Sequence, residues 1–168
     1  MRFLLLGILA GTLLMAESAA GIQWKAPATW KVQPQRPMRA ATYTVPPAAG
    51  DSEAGELAVF YFGPDQGGTV QANITRWEAQ FPQKTSPPKT TKSTAAGLAV
   101  TTVEVAGTYA WSPSPMSPEK VMKPNFRMVG VIVQAPQGPV FFKFTAPAKT
   151  VAANQSAMQS MIQSIVKE

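Results

Sequence analysis

The chain is 168 residues long, with 15 Lys and Arg against 9 Asp and Glu, a net charge of +6, and neither histidine nor cysteine. Those two absences exclude disulfides, a cysteine-linked lipid anchor, a Ser–His or Cys–His nucleophile, and most zinc, copper and iron ligand sets. The positive balance favours acidic partners in general: anionic polymers, lipid headgroups or acidic proteins.

The opening "MRFLLLGILAGTLLMAESAA" has a basic start at Arg2, an apolar or small-residue run from Phe3 to Met15, and small residues in Ser18-Ala19-Ala20. This is the pattern of a secretory signal peptide over residues 1–20. The run is too short for a membrane span, which needs about 20 apolar residues, and no later segment is longer. The expectation is therefore an exported protein, periplasmic or secreted, with no transmembrane segment after cleavage and one globular domain over residues 21–168. A domain of that length buries about 70% of its unfolded-chain surface, enough for a core without covalent staples. Export and scattered charge make nucleic acid an unexpected partner.

In chain order, "TWKVQP" around Trp30 predicts a short strand bounded by Pro27 and Pro34. Met38 to Val45 predicts a second, ending at Pro46-Pro47. Glu56 to Phe62 carries β-branched and aromatic residues on both faces, as a central strand covered on each side does. Val70, Ile74, Trp77 and Phe81 fall at i, i+4, i+7 and i+11, one apolar helical stripe, and Pro82 ends it. "KTSPPKTTK", with Lys84, Lys89 and Lys92, reads as a solvated loop. Gly97 to Ala110 is strand-like, either two strands or one long bent one.

Ala110 to Pro124 contains four prolines and fits neither periodic template. Its Trp111, Met116 and Met122 are costly to leave in water, at about 1.5–3 kcal/mol for each large apolar side chain. They either fold back on the core or cap a binding groove. "FRMVGVIVQAP" and "GPVFFKFTAP" predict a tight hairpin. The last segment, Ala148 to Lys167, places Val151, Met158, Met161, Ile162, Ile165 and Val166 on a second helical stripe, with Lys167 suited to the C-terminal end of the dipole. Strands far outnumber crossover helices, so the fold class is α+β: a largely antiparallel sheet packed against two main helices.

Between the third strand and the first helix, "GPDQGGT" imitates a phosphate loop by its Gly63-x-x-x-x-Gly68-Thr69 spacing. The lysine that reaches the β- and γ-phosphates is missing, and Asp65 adds a negative charge where a phosphate would sit. A turn that starts a helix is the better reading.

Chemistry narrows accordingly. Carboxylate pairs, Ser–Lys and Tyr remain as catalytic options. Asp51, Glu53 and Glu56 cluster in "GDSEAGE" without the ligand spacing of a calcium loop. No catalytic residue, metal ligand or cofactor is expected. Arg39, Arg76 and Arg127 are the candidate anionic contact surface, with Glu104 as a possible partner, and Trp111, Met116 and Met122 are the candidate apolar contacts. The expected function is that of a non-catalytic binding or accessory protein contacting an acidic protein, polymer or membrane surface. The alternative is a small carboxylate-dependent hydrolase of the cell envelope, with Glu104 or Asp51 as its acid.

The order of motifs adds a resemblance. "WKAPATW", "MRAATYTV", "GELAVFYFG" followed by a helix carrying "NITRW", and "RMVGVIVQAPQGPVFFKFTAP" before a final helix together resemble exported bacterial proteins of unknown role with a PsbP-like fold. The resemblance covers nearly all of residues 21–168 through pattern and apolar signatures. It implies an α/β/α sandwich, named for the extrinsic photosystem II protein and shared with a nuclear-import factor that binds a small GTPase. It carries over no catalytic motif, and the metal-site histidines of the photosystem protein have no counterpart here, so photosystem function is not implied.

Overall fold

A computed structural model of the protein describes residues 17–114 and 116–168; residues 1–16 of the expected leader lie outside the described residues. The chain begins with a hairpin of β1 (Glu17–Ala19) and β2 (Ile22–Trp24), turned by Ala20 and Gly21 at φ 54° and 78°. Both central residues of such a turn need positive φ, which glycine adopts without strain. Ala20 is buried in the core and its carbonyl accepts from the N–H of Gln137 at 3.0 Å. Glu17–Ala20 therefore belongs to the fold, and the expected junction at Ala20–Gly21 falls inside this turn. A third short strand, β11 (Val166–Lys167), pairs with β2 from the other end of the chain.

The main sheet holds β3 (Lys31–Val32), β4 (Arg39–Val45), β5 (Gly55–Phe60), β6 (Gln83–Lys84), β7 (Lys89–Ala95), β8 (Leu98–Trp111), β9 (Val121–Ala135) and β10 (Gly138–Pro147). Their order is β3-β4-β5-β10-β9-β8-β6, with β7 also pairing β8, and every ladder is antiparallel. The central strands β5, β10 and β9 carry near-continuous apolar runs because both of their faces are covered. Phe142 and Phe144 of β10 face α2 (Ala148–Gln163) with Val129, Val131 and Met161, while Phe141 faces α1 (Val70–Glu78) with Met128, Ile132 and Trp77. Alternate residues of one strand thus serve two cores, one under each helix.

The apolar stripe expected for α1 is present: Ile74 and Trp77 are buried, and Phe81, just past the helix, is fully buried. Thr69 caps the helix, its hydroxyl accepting from the Ala72 N–H at 3.1 Å, an interaction worth about 1 kcal/mol. In the glycine-rich turn before it, Gly67 stands at φ 91°, and a Cβ there would lie 2.7 Å from the Phe141 ring. These glycines seat the turn on the aromatic core and start a helix, as read from the missing lysine.

Three expectations change and one open alternative closes. The stretch read as a solvated loop, "KTSPPKTTK", contributes β6 and β7; its side chains are exposed, but threonine-rich backbone completes the sheet beside the long β8. Of the two readings of Gly97 to Ala110, the single long strand holds, and β8 runs on to Trp111. The segment from Ala110 to Pro124 is mostly strand at its ends, because Pro124 and Asn125, the latter at φ 57°, form an irregularity opposite Gly107–Tyr109. A proline inside a sheet is tolerated at such a bulge. The last helix stops at Gln163, and Lys167 lies in β11 instead of the final helical turn.

Candidate functional site

Helix α2 lies over β9 and β10, and Ala95 of β7 and Val100 of β8 are buried in the same core. A groove of about 310 Å³ runs there, at the low end of the usual ligand-pocket range of about 300–1,000 Å³. Its floor is apolar: Val100, Val129, Val131, Phe144, Met158 and Ile162. One wall is α2, which presents exposed Gln155, Gln159 and Gln163 at i, i+4 and i+8. The opposite wall is β7, with exposed Thr91, Lys92 and Ser93, and Thr102 of β8 stands beside them. At one end Glu104 forms an ion pair with Arg127 across the β8–β9 ladder, both partly buried. Lys89 is the residue directly opposite Glu104 on β7.

The second feature is the tip of the β8–β9 hairpin. Trp111 is 37% exposed, Met116 91%, Val121 50% and Met122 49%. Trp111 and Val121 are cross-strand partners, as are Ala110 and Met122. The Lys123 ammonium lies 5.1 Å from the Trp111 ring centre and 5.5 Å from that of Phe126, and it pairs with Glu53 from the β4–β5 connection. Such a cation–aromatic contact is worth about 0.5–1 kcal/mol where exposed, so it holds the root of the tip and leaves its apolar end outward.

The sequence-selected residues divide between these places. Trp111, Met116 and Met122 share the tip. Arg127 sits at the groove end, with Glu104 as its partner. Arg39 stands on the other face of the sheet, 3.0 Å from Glu56 and stacked 5.4 Å from the Phe60 ring centre; Arg36 shares the same carboxylate at 3.5 Å. Arg76 is an exposed residue of α1 whose guanidinium donates to the Asn73 side-chain oxygen at 3.4 Å. The three arginines do not form one surface. The glutamine row of α2 was missed, although its four-residue spacing is plain in "NQSAMQSMIQ" once a facing wall is known.

The acids singled out in the sequence are occupied structurally. Besides the pairs of Glu53, Glu56 and Glu104, Asp51 accepts from the Thr150 N–H at 3.0 Å and its hydroxyl at 2.7 Å, closing the start of α2. Among the described residues no group of three or more acids is placed to hold a metal ion. The perturbed groups lie elsewhere. Burial chiefly lowers Lys143 to about 8; Glu56 partly offsets this and Arg39 adds to it. Burial likewise raises Tyr109. Tyr43 is pushed up first by burial, while the indole N–H of Trp24, donating to its hydroxyl at 3.0 Å, pulls the other way. Burial raises Glu17 as well, and its hydrogen bond with Tyr43 opposes the shift.

One antiparallel sheet with a helix on each face defines an α/β/α sandwich of the α+β class. Searches with the sequence match no protein-family model and no curated protein. Among solved structures, the chain is similar to cyanobacterial PsbP (CyanoP) from Synechocystis sp. PCC 6803, with a TM-score of 0.52 and 10% identity over 92% of this chain and 91% of that one. It is equally similar to LpqN of Mycobacterium tuberculosis, a protein involved in cell envelope biogenesis, with a TM-score of 0.52 and 10% identity over 86% and 82% of the two chains. The protein has the PsbP-like fold.

Proposed function

We propose that the protein is an exported accessory module that docks, without catalysis of its own, onto an acidic or lipid surface through the β8–β9 tip. The observation that carries this reading is the exposure of four large apolar residues on one hairpin: Trp111 and its cross-strand partner Val121 on one face, Met122 on the other, and Met116 in the connection between the strands. Apolar side chains gathered on one projection mark a contact surface more often than chance exposure does. Lys120, exposed between Met116 and Val121, adds attraction for anionic groups. The leader and the basic net charge support an envelope setting, and the likeness in fold to an envelope-biogenesis protein agrees with it. The engagement of Asp51, Glu53, Glu56 and Glu104 in caps and ion pairs argues against the hydrolase alternative, since a working acid needs a free face toward substrate.

The test uses the exported protein and a triple variant, Trp111→Ser, Met116→Ser and Met122→Ser, with vesicles of anionic lipid, an acidic polysaccharide and immobilised acidic protein as probes. The expected result is retention on at least one probe, weakened by salt at about 0.5 M, where screening acts within a few ångströms. The variant should lose retention with its folding intact. Equal retention of both proteins, or retention on none, overturns the proposal; hydrolysis of an envelope polymer lost in Glu104→Gln would install the alternative.

A further inference from the structure

The β8–β9 tip is apolar on both faces and at its end. Trp111 and Val121 share one face of the hairpin, Met122 lies with Ala110 on the other, and Met116 stands in the connection beyond them. A flat protein surface covers one face of such a projection and leaves the rest in water. A medium that surrounds it covers both faces and the end together, as a lipid interface does. Lys120 has Glu119 beside it, both exposed, so local charge does not hold an anionic polymer there by itself; the apolar end has to be covered as well.

The connection is also prepared to leave water. Pro113 and Pro118 have no N–H to desolvate. The Ser117 N–H donates to the Ser114 carbonyl at 3.1 Å, the Glu119 N–H to the Ser117 hydroxyl at 3.2 Å, and the Ser112 hydroxyl to the Ser114 carbonyl at 2.7 Å. Each pair formed inside the connection removes groups that would otherwise lose water unpaired.

The strands behind it set a limit. Among the described residues, β8 past Ala110 and β9 before Phe126 have ladder partners only in each other. Their outer N–H and C=O groups are open, and hydrocarbon cannot satisfy them. Insertion therefore stops at the strand ends, with Trp111 and Val121 at headgroup level and Met116 beyond them. An indole suits that level, having an apolar body and one polar N–H.

We infer that the surface engaged by the tip is a lipid membrane, entered shallowly: Met116 reaches the acyl chains while Trp111 rests among the headgroups. The inference rests on docking by the tip and names the surface. The chain's net charge of +6 draws it toward an anionic leaflet. Trp111 also reports the event. Trp24, Trp30 and Trp77 are 1%, 5% and 6% exposed, against 37% for Trp111, so a lipid-induced change in indole emission comes from Trp111.

The experiment mixes the protein with vesicles of phosphatidylcholine and phosphatidylglycerol, with an acidic polysaccharide and an immobilised acidic protein alongside. On vesicles the indole emission should shift to the blue, and bromine attached near the headgroup end of the acyl chains should quench it more than bromine near the methyl end. Trp111→Phe should still sediment with vesicles and lose the shift. Met116→Lys should keep its melting temperature and bind vesicles at least about ten-fold more weakly, since a charged end is costly among acyl chains. The inference is overturned, with docking by the tip left standing, if the polysaccharide or acidic protein retains the parent in a tip-dependent way while vesicles give no shift. It is overturned too if quenching is stronger from the methyl end, if Met116→Lys binds as well as the parent, or if the blue shift develops with protein concentration in the absence of vesicles. Retention on no probe removes both readings.

Discussion

The ammonium of Lys143 lies 2.5 Å from the side-chain oxygen of Gln80 and 5.5 Å from the centre of the Tyr109 ring. It is a lysine drawn into the core face under α1, with Glu56 and Arg39 as its nearest charges, and burial brings it down to about 8 from 10.5. The folded state therefore releases a proton that the unfolded state still holds between about pH 8 and 10.5. Where the unfolded state binds more protons, stability rises with pH. Tyr109 acts in the opposite sense: its folded form holds its proton above the ordinary value of 10, so its contribution is lost as pH climbs further. Stability measured by denaturant titration should increase from pH 8 toward about 10 and then fall. In Lys143→Met the rise should vanish; a variant that keeps the full rise would place its origin elsewhere.

Gly130 of β9 lies under the Trp77 indole, and a Cβ there would stand 2.3 Å from the ring. Gly130→Ala should destabilise by about 1–3 kcal/mol through overpacking. Trp77→Leu makes its own cavity, yet should cost less when combined with Gly130→Ala than the two single effects summed. A double-mutant cycle reads the coupling, expected at about 0.5–3 kcal/mol. Strict additivity would mean that the ring does not constrain this position.

Asp51, ninety-nine residues before Thr150, closes the α2 N-terminus through two hydrogen bonds. Asp51→Ala should cost about 0.5–2 kcal/mol, the range for loss of a capping side chain. Asp51→Asn keeps an accepting oxygen and should recover most of that. Equilibrium unfolding of the pair measures it, and equal losses in both variants would assign the effect to charge.

The first described strand ties the start of the described chain to the fold. Its residues Glu17–Ala19 pair with Ile22–Trp24, and Ala20 belongs to the core under α2. A chain beginning at Glu17 should be more stable than one beginning at Gly21, by roughly 1 kcal/mol for the Ala20 methyl group taken out of the core. Thermal unfolding of the two checks the energetics. Identical melting temperatures would reduce β1 to an ornament of the sheet.

What could be read in advance depended on whether a segment meets one uniform environment. Ile74 and Trp77 repeat at helical spacing because one face of α1 meets the core, and the Phe141 to Phe144 run reads as a strand because both of its faces do. The β9–β10 hairpin announces itself by Pro136 and Gln137 between two such runs. The stretch from Lys89 to Ala95 gave no warning, since nearly all its side chains are solvated and a strand exposed on both faces has no alternation. Val166 fits the stripe of the last helix by spacing, but Gln23 of β2 captures it as a strand partner. Pro124 looked like a strand breaker and stands in β9, where the bulge removes the need for its missing N–H.

The candidate sites divide on the same line. Trp111, Met116 and Met122 stood out by residue type, since large apolar side chains among prolines are conspicuous in a string of letters. Arg127 stood out as a charge within an apolar strand, but its pairing with Glu104 required two strands to meet in register. The groove required more. Its walls come from β7 and α2, over sixty residues apart, and each wall alone is merely the polar side of an ordinary element.

Residue order alone determined which chemistries the side-chain inventory excludes and the α+β class of mixed strands and helices, because inventory and periodic burial are local or compositional properties. The distribution of charges into pairs, the pairing of Glu17–Ala19 with Ile22–Trp24, and the placing of the α2 glutamine row beside the hydroxyls of β7 were decided only by folding. Those depend on which distant faces meet, and contact across the chain is set by the packing of the whole sheet against its helices.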